Sequence, residues 1–134
     1  MSERGVGSRR VRVLVVDDSV PCRRAAAAVV RVSDGFELSG TARSGAEAVR
    51  LAEALEPDLV LLDVRMREMS GTDAAQLILE RRPDTVVVLV SAWAEETAAE
   101  RAARCGAAAA LPKHDLKPCV LGELWARHGH ALTA

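Results

Sequence analysis

Apolar positions along this chain follow two different rhythms, and the rhythms take turns. Short apolar runs occupy Val11 to Val16, Leu59 to Leu62, Thr85 to Val90 and Ala107 to Leu111. Runs of four to eight residues rich in Val and Leu, bounded by turn or charged residues, predict strands buried on both faces, and the Ala-rich run from Ala107 predicts a short fifth strand. Phe36 to Ala42 instead alternates apolar with polar residues, which predicts a half-exposed strand at a sheet edge. Between these runs the spacing changes to the helical period. Ala48, Leu51, Ala52 and Leu55 share one helical face; so do Ala74, Leu77 and Ile78; so do Ala98, Ala102 and Cys105; so do Val120, Leu121, Leu124 and Trp125.

Local start and stop signals agree with that division. Ser19 followed by Pro21 opens a helix that runs to about Val32, before the turn residues Ser33-Asp34-Gly35. Ser44-Gly45-Ala46-Glu47 is a capping box whose helix ends at Pro57, and Ser70-Gly71-Thr72-Asp73 opens a third that ends at Pro83. A fourth helix spans about Glu95 to Arg104 and stops at Gly106; a fifth begins near Leu116 and frays at His128-Gly129. Strands alternating with helices require right-handed crossovers, so the expected fold is α/β: a doubly wound, five-stranded parallel sheet built as (βα)5 and covered on both faces. Residues 1–10 are expected to be a flexible tail, 11–128 the folded domain and 129–134 a second tail.

Composition narrows the class without changing this picture. With 134 residues the chain is one domain, long enough to bury a core without disulfide or metal staples. Only Phe36, Trp93 and Trp125 are aromatic, so Val, Leu and Ala must form the core. A formal net charge of −1 gives no reason to expect nucleic acid or an anionic membrane as partner. No apolar run approaches the roughly 18–20 residues needed to cross a bilayer, and the first ten residues lack the apolar segment of a signal peptide. Cys22, Cys105 and Cys119 form no CxxC pair and are expected to be buried small hydrophobes in a reducing, cytoplasmic setting.

The chemistry lies at the strand ends. The first strand stops at Asp17, Asp18 and Ser19, the third at Asp63, the fourth at Ser91 and the fifth at Pro112-Lys113. In a parallel sheet these ends share one rim, where open α/β folds bind ligands. Three carboxylates within about 5 Å repel on the order of 4 kcal/mol per pair, so such a cluster holds a proton or a cation. Oxygen ligands without His or Cys select a hard cation, with Mg²⁺ the obvious candidate. A hydroxyl and an ammonium beside that centre suit a phosphoryl group, and the reaction class is phosphoryl transfer to a carboxylate.

These residues resemble the receiver domain of bacterial two-component response regulators, over about Val11 to Arg127. Asp63-Val64-Arg65-Met66-Arg67-Glu68-Met69-Ser70-Gly71 is similar to that family's D-x-x-M-P-x-M-x-G, with Met66, Met69 and Gly71 in place. The resemblance implies a flavodoxin-like sheet in order 2-1-3-4-5 and a phosphoacceptor role for Asp63, assisted by Ser91 and Lys113. It further implies Mg²⁺ held by Asp18, Asp63 and the Arg65 carbonyl, with Asp17 acting mostly through water. The protein would then be a single-domain signalling protein rather than an enzyme, its chemistry confined to forming and hydrolysing its own acyl phosphate. Its partners would be a sensor histidine kinase or histidine phosphotransfer protein, and a downstream protein docking on the fourth helix, fifth strand and fifth helix. Ala99, Ala103, Val120 and Trp125 are the candidate anchors on that surface, and no direct DNA or membrane binding is implied.

Two positions depart from the family pattern. Arg67 stands where proline is expected, and Ala108, Ala109 and Ala110 occupy the stretch where a switch aromatic precedes the lysine. Both departures favour the alternative of a receiver-like binding module that works without phosphorylation, whereas the complete acidic set with Ser91 and Lys113 opposes it. A flavin carrier on the same fold would need a phosphate-cradling loop after the first strand, and Asp17-Asp18 makes that loop acidic. Trp93, two residues beyond Ser91, is read either as packing or as a shield for the site.

Overall fold

The protein is described by a computed structural model, which covers residues 9–92 and 102–129. The expectations for Trp93, Ala98 and Ala99 lie outside those residues. Five strands, β1 (Val11–Val16), β2 (Phe36–Ala42), β3 (Leu59–Asp63), β4 (Val86–Ser91) and β5 (Ala109–Pro112), form one parallel sheet in the order β2-β1-β3-β4-β5. The helices are α1 (Val20–Arg31), α2 (Gly45–Leu55), α3 (Gly71–Arg81), α4 (described over residues 102–105) and α5 (Pro118–His128). A 3-10 turn, Lys113–Asp115, leads from β5 toward α5, so the last helix starts two residues later than its apolar spacing suggests.

Because side chains alternate along a strand, each strand feeds two cores. Leu14, Val16, Val60, Leu62, Val87 and Leu89 meet Ala48, Ala52, Ala74, Ala75, Ile78, Ala102 and Cys105 on one face. Val13, Val15, Leu59, Leu61, Val88 and Val90 meet Val30, Phe36 and Leu121 on the other. Small alanines on α2 and α3 let those helices lie close to the sheet. β2 is the expected edge strand, half-exposed along its middle, and its register against β1 shifts between Val13 and Leu14.

Capping follows the local sequence. The hydroxyls of Ser19, Ser44 and Ser70 accept from the backbone N–H groups of Cys22, Glu47 and Asp73. In the capping box the returning Glu47 carboxylate accepts from the Arg43 N–H, one residue before the cap itself. Gly106, with φ +87, ends α4, and its N–H donates to the Ala102 carbonyl.

Two side-chain expectations fail. Leu77 is 39% exposed, because the buried stripe of α3 is Gly71, Ala74, Ala75 and Ile78. At 3.6 residues per turn, Leu77 falls about 110° from the middle of that stripe, and Ala75 takes the inward position. Cys119 is exposed at the start of α5 and Cys22 is half-buried, leaving Cys105 as the cysteine that behaves as a core residue.

Gly71 fixes how closely α3 approaches β3. Its N–H donates to the Val64 carbonyl, and a methyl group there would fall 2.9 Å from both the Asp63 carbonyl carbon and Val64 Cα. Closer still would be the Asp63 carbonyl oxygen, which is backbone and cannot swing aside. Gly71→Ala should therefore lower unfolding free energy by about 1–3 kcal/mol, the usual cost of overpacking. A denaturant midpoint equal to that of the unsubstituted protein would show that the turn relaxes without cost.

Candidate functional site

Strand register sets the site. Val16 lies level with Leu62, Asp63 with Val90, and Ser91 with Pro112, so the next residues, Asp17 and Lys113, emerge on either side of the β3 carboxylate. The rim thus gathers Asp17, Asp18, Asp63, Ser91 and Lys113. Asp17, Asp63 and Ser91 are buried, Asp18 is exposed, and Lys113 retains 22% of its side-chain exposure.

Each buried carboxylate is held from several directions. The Lys113 ammonium sits 2.8 Å from Asp17 Oδ2 and 3.6 Å from Asp63 Oδ1. Asp17 Oδ1 accepts from the Ser19 N–H at 2.9 Å, while the Arg23 guanidinium donates to the Asp17 carbonyl and ties α1 to this loop. The Arg65 backbone N–H donates to Asp63. Asp18 Oδ2 accepts from the Arg67 N–H at 3.3 Å, which bridges the β1–α1 and β3–α3 loops. One oxygen from each of Asp17, Asp18 and Asp63 lies within 4.8 Å of the others.

Electrostatics follow from this crowding. Burial raises the Asp63 pKa and the Asp17 charge raises it further, against the opposing pull of Lys113, so that it is pushed up to about 6. Burial alone would lower the Lys113 pKa, but the Asp17 hydrogen bond and the charges of both aspartates outweigh it, leaving the ammonium above its ordinary value. An apolar cavity of about 120 Å³ lies beside Asp17, Asp63 and Lys113, walled in part by Ala25, Val29 and Leu116. This apolar wall lowers the local dielectric beside the buried carboxylates, which strengthens the interactions of Asp17 and Asp63 with Lys113.

Asp17, Asp18, Asp63 and Lys113 come together, and Ser91 ends β4 at the same edge of the sheet. Arg65 joins them through its backbone, with its side chain exposed. Three features had no forerunner in that reading: the Lys113–Asp17 ion pair, the Arg23 tie to Asp17 and the Arg67 bond to Asp18. The first two needed the fold. The third had a sequence signal, since any residue except proline at position 67 supplies an N–H. On the expected docking surface Ala103 is exposed, while Val120 and Trp125 are half-buried, Trp125 resting against the α5-side core. His114 is exposed and lies 3.4 Å from the neighbouring Asp115, away from the carboxylate cluster.

The strand order is that of a flavodoxin-like doubly wound sheet, and its acidic cluster lies at the strand ends where such folds bind ligands. The chain belongs to the response regulator receiver domain family, whose model matches residues 13–122. It is 37% identical over 107 residues to a protein-glutamate methylesterase/protein-glutamine glutaminase of Pyrococcus horikoshii, covering 78% of this chain and 29% of that one. It is 41% identical over 113 residues to the transcriptional regulatory protein PdtaR of Mycobacterium tuberculosis, covering 81% of this chain and 54% of that one. The chain therefore spans about half or less of the length of these relatives. Among solved structures, the response regulator domain of Thermotoga maritima CheB superposes with a TM-score of 0.80 at 31% identity, over 94% of this chain and 100% of that one. The CheX–CheY–BeF3–Mg²⁺ complex of Borrelia burgdorferi gives a TM-score of 0.77 at 29% identity, over 89% of this chain and 90% of that one. Among the described residues, no helix is long and apolar enough to cross a membrane.

Proposed function

We propose that Asp63 accepts a phosphoryl group from a histidine kinase or histidine phosphotransfer protein, and that the resulting change is read by a protein docking on α4, β5 and α5. The observation that carries this reading is the position of Asp63. It is a buried carboxylate at a strand end, 3.6 Å from the Lys113 ammonium and within reach of two further carboxylates. One Asp63 oxygen attacks phosphorus, a new P–O bond forms, and the P–N bond to the donor histidine breaks with its electron pair returning to the imidazole. Lys113 lies where it would offset negative charge on the phosphoryl oxygens, and Ser91 ends the adjacent strand as a hydroxyl donor.

An all-oxygen donor set of three closely spaced carboxylates fits Mg²⁺. Asp18 and Asp63 would hold the ion together with the Arg65 carbonyl, and Asp17 would act mostly through water. When bound, Mg²⁺ supplies charge neutralisation at the transferring group. The Borrelia relative, solved with BeF3 and Mg²⁺, supports the same pairing of metal and phosphoryl-like group. The single-domain form, the cytoplasmic location and the lack of direct DNA binding belong to this proposal too. The mass of the protein isolated from its own cells tests the first of them.

Incubation with a small phosphodonor and Mg²⁺ should add the mass of one phosphoryl group to the intact protein, and chelation should abolish the gain. A protein that stays unlabelled under conditions that label other receivers would favour a binding module that works without phosphorylation.

A further inference from the structure

Arg67 is where this chain leaves its family's pattern, and the structure gives that departure a consequence. Both backbone groups of Arg67 are engaged. Its N–H donates to Asp18 Oδ2 at 3.3 Å, and its carbonyl accepts from the Met69 N–H at 2.6 Å across Glu68, whose φ is +67. A proline at this position has no N–H and could not make the first bond. Asp18 is the exposed member of the acidic cluster, in a loop, close to two other carboxylates that repel it. Without an anchor, its side chain would lower its energy by turning outward to water.

We propose that the Arg67 backbone N–H is a positioning group for Asp18, holding its carboxylate in the cation site before the cation arrives. A carboxylate has two oxygens and about four acceptor positions, so accepting from Arg67 leaves capacity for a metal ion. Groups that orient metal ligands in this way commonly change affinity by about 10- to 100-fold, and an exposed bond belongs at the low end of that range. The same bond couples the cation site to the Arg67–Met69 turn, and through Gly71 to the start of α3. This inference rests on the reading of the acidic cluster as a Mg²⁺ site.

The test is Mg²⁺ titration by calorimetry on the unsubstituted protein, Arg67→Ala and Arg67→Pro, with amide NMR spectra of the unsubstituted protein and Asp18→Ala. Arg67→Ala removes the side-chain charge and keeps the N–H, whereas Arg67→Pro removes both. Proline also fixes φ at position 67 and restricts Met66, so the affinity difference is read together with the amide spectra, which leave the position 67 backbone unaltered. Arg67→Pro should bind Mg²⁺ about tenfold more weakly than Arg67→Ala. The Arg67 amide resonance should move in Asp18→Ala and should move again when Mg²⁺ is added to the unsubstituted protein. That spectral result decides the matter even if Arg67→Pro does not fold. Equal affinities for the two Arg67 variants, or an Arg67 amide indifferent to Asp18→Ala, would overturn the positioning role while leaving the Mg²⁺ site standing. A flat titration of the unsubstituted protein would remove the Mg²⁺ reading itself, and the positioning role with it.

Discussion

Asp63→Asn should take up no phosphoryl group from a small phosphodonor, and at pH 7 in chelator it should be more stable than the unsubstituted protein. The first half follows from chemistry: the amide fills the same volume but is a poor nucleophile, so labelling goes while packing stays. The second half follows from the sign of the pKa shift. The Asp63 pKa in the folded protein, about 6, lies above the ordinary 3.8, so between those values the folded state holds a proton that the unfolded state has released. Stability must therefore fall as pH rises through that window and level off above it. At one pKa unit per 1.36 kcal/mol, the ionised carboxylate costs up to about 3 kcal/mol at neutral pH, a charge cost that asparagine does not bear. The amide meets the Lys113 ammonium less well than a carboxylate does, so the net gain should be about 1–2 kcal/mol at pH 7 and should vanish near pH 4. Retained stoichiometric labelling of the folded variant would sink the acceptor assignment. Labelling lost together with stability at pH 7 would mean instead that Asp63 is a structural partner of Lys113.

That cost explains why the site was legible in the sequence while its internal wiring was not. Strand ends are written in composition: Val11 to Val16 and Leu59 to Leu62 read as buried strands by their length and Val/Leu content, and the polar residues that end them must share a rim if the sheet is parallel. Which carboxylate takes the lysine depends on depth and register, neither of which is local. Lys113 lies 2.8 Å from Asp17 and 3.6 Å from Asp63, so its shorter bond goes to the neighbour of the expected acceptor. The adjacent pair Asp17-Asp18 divides in the same way. One is buried and paired with an ammonium; the other is exposed and bonded to the β3–α3 loop. Two identical residue types side by side carry no sequence signal for that difference.

Helix faces were legible wherever large residues defined them, and less so where alanine did. On α3 both Leu77 and Ala75 satisfy a helical spacing with Ala74 and Ile78, and hydrophobicity alone favours the leucine. The sheet instead favours the smaller residue, because Gly71 brings the start of α3 against the Asp63 and Val64 backbone and leaves little room on that side. The same closeness links fold to function. The glycine that sets the α3 approach also fixes the loop carrying Arg65 and Arg67, whose backbone N–H groups reach Asp63 and Asp18.

Magnesium should raise the thermal stability of this protein, and by an amount that depends on pH. An ion that binds the folded site and not the unfolded chain stabilises by about 2.7 kcal/mol at a hundred times its Kd, on the order of a 10 °C rise in Tm for a domain of this size. Cation binding requires Asp63 ionised, and its pKa of about 6 makes that requirement nearly free at pH 7. At pH 5 most molecules carry the proton, which must leave before the ion binds, so apparent affinity should drop by about tenfold. The proton thus competes with the cation for the same crowded oxygens, each relieving the repulsion among Asp17, Asp18 and Asp63. Asp18→Ala removes one donor and part of that repulsion, and should show a much smaller Tm response at either pH. Equal stabilisation of Asp18→Ala and the unsubstituted protein would place the ion elsewhere. A response unchanged between pH 7 and pH 5 would mean that Asp63 is ionised throughout, and that the Lys113 ammonium already relieves the repulsion assigned here to proton and cation.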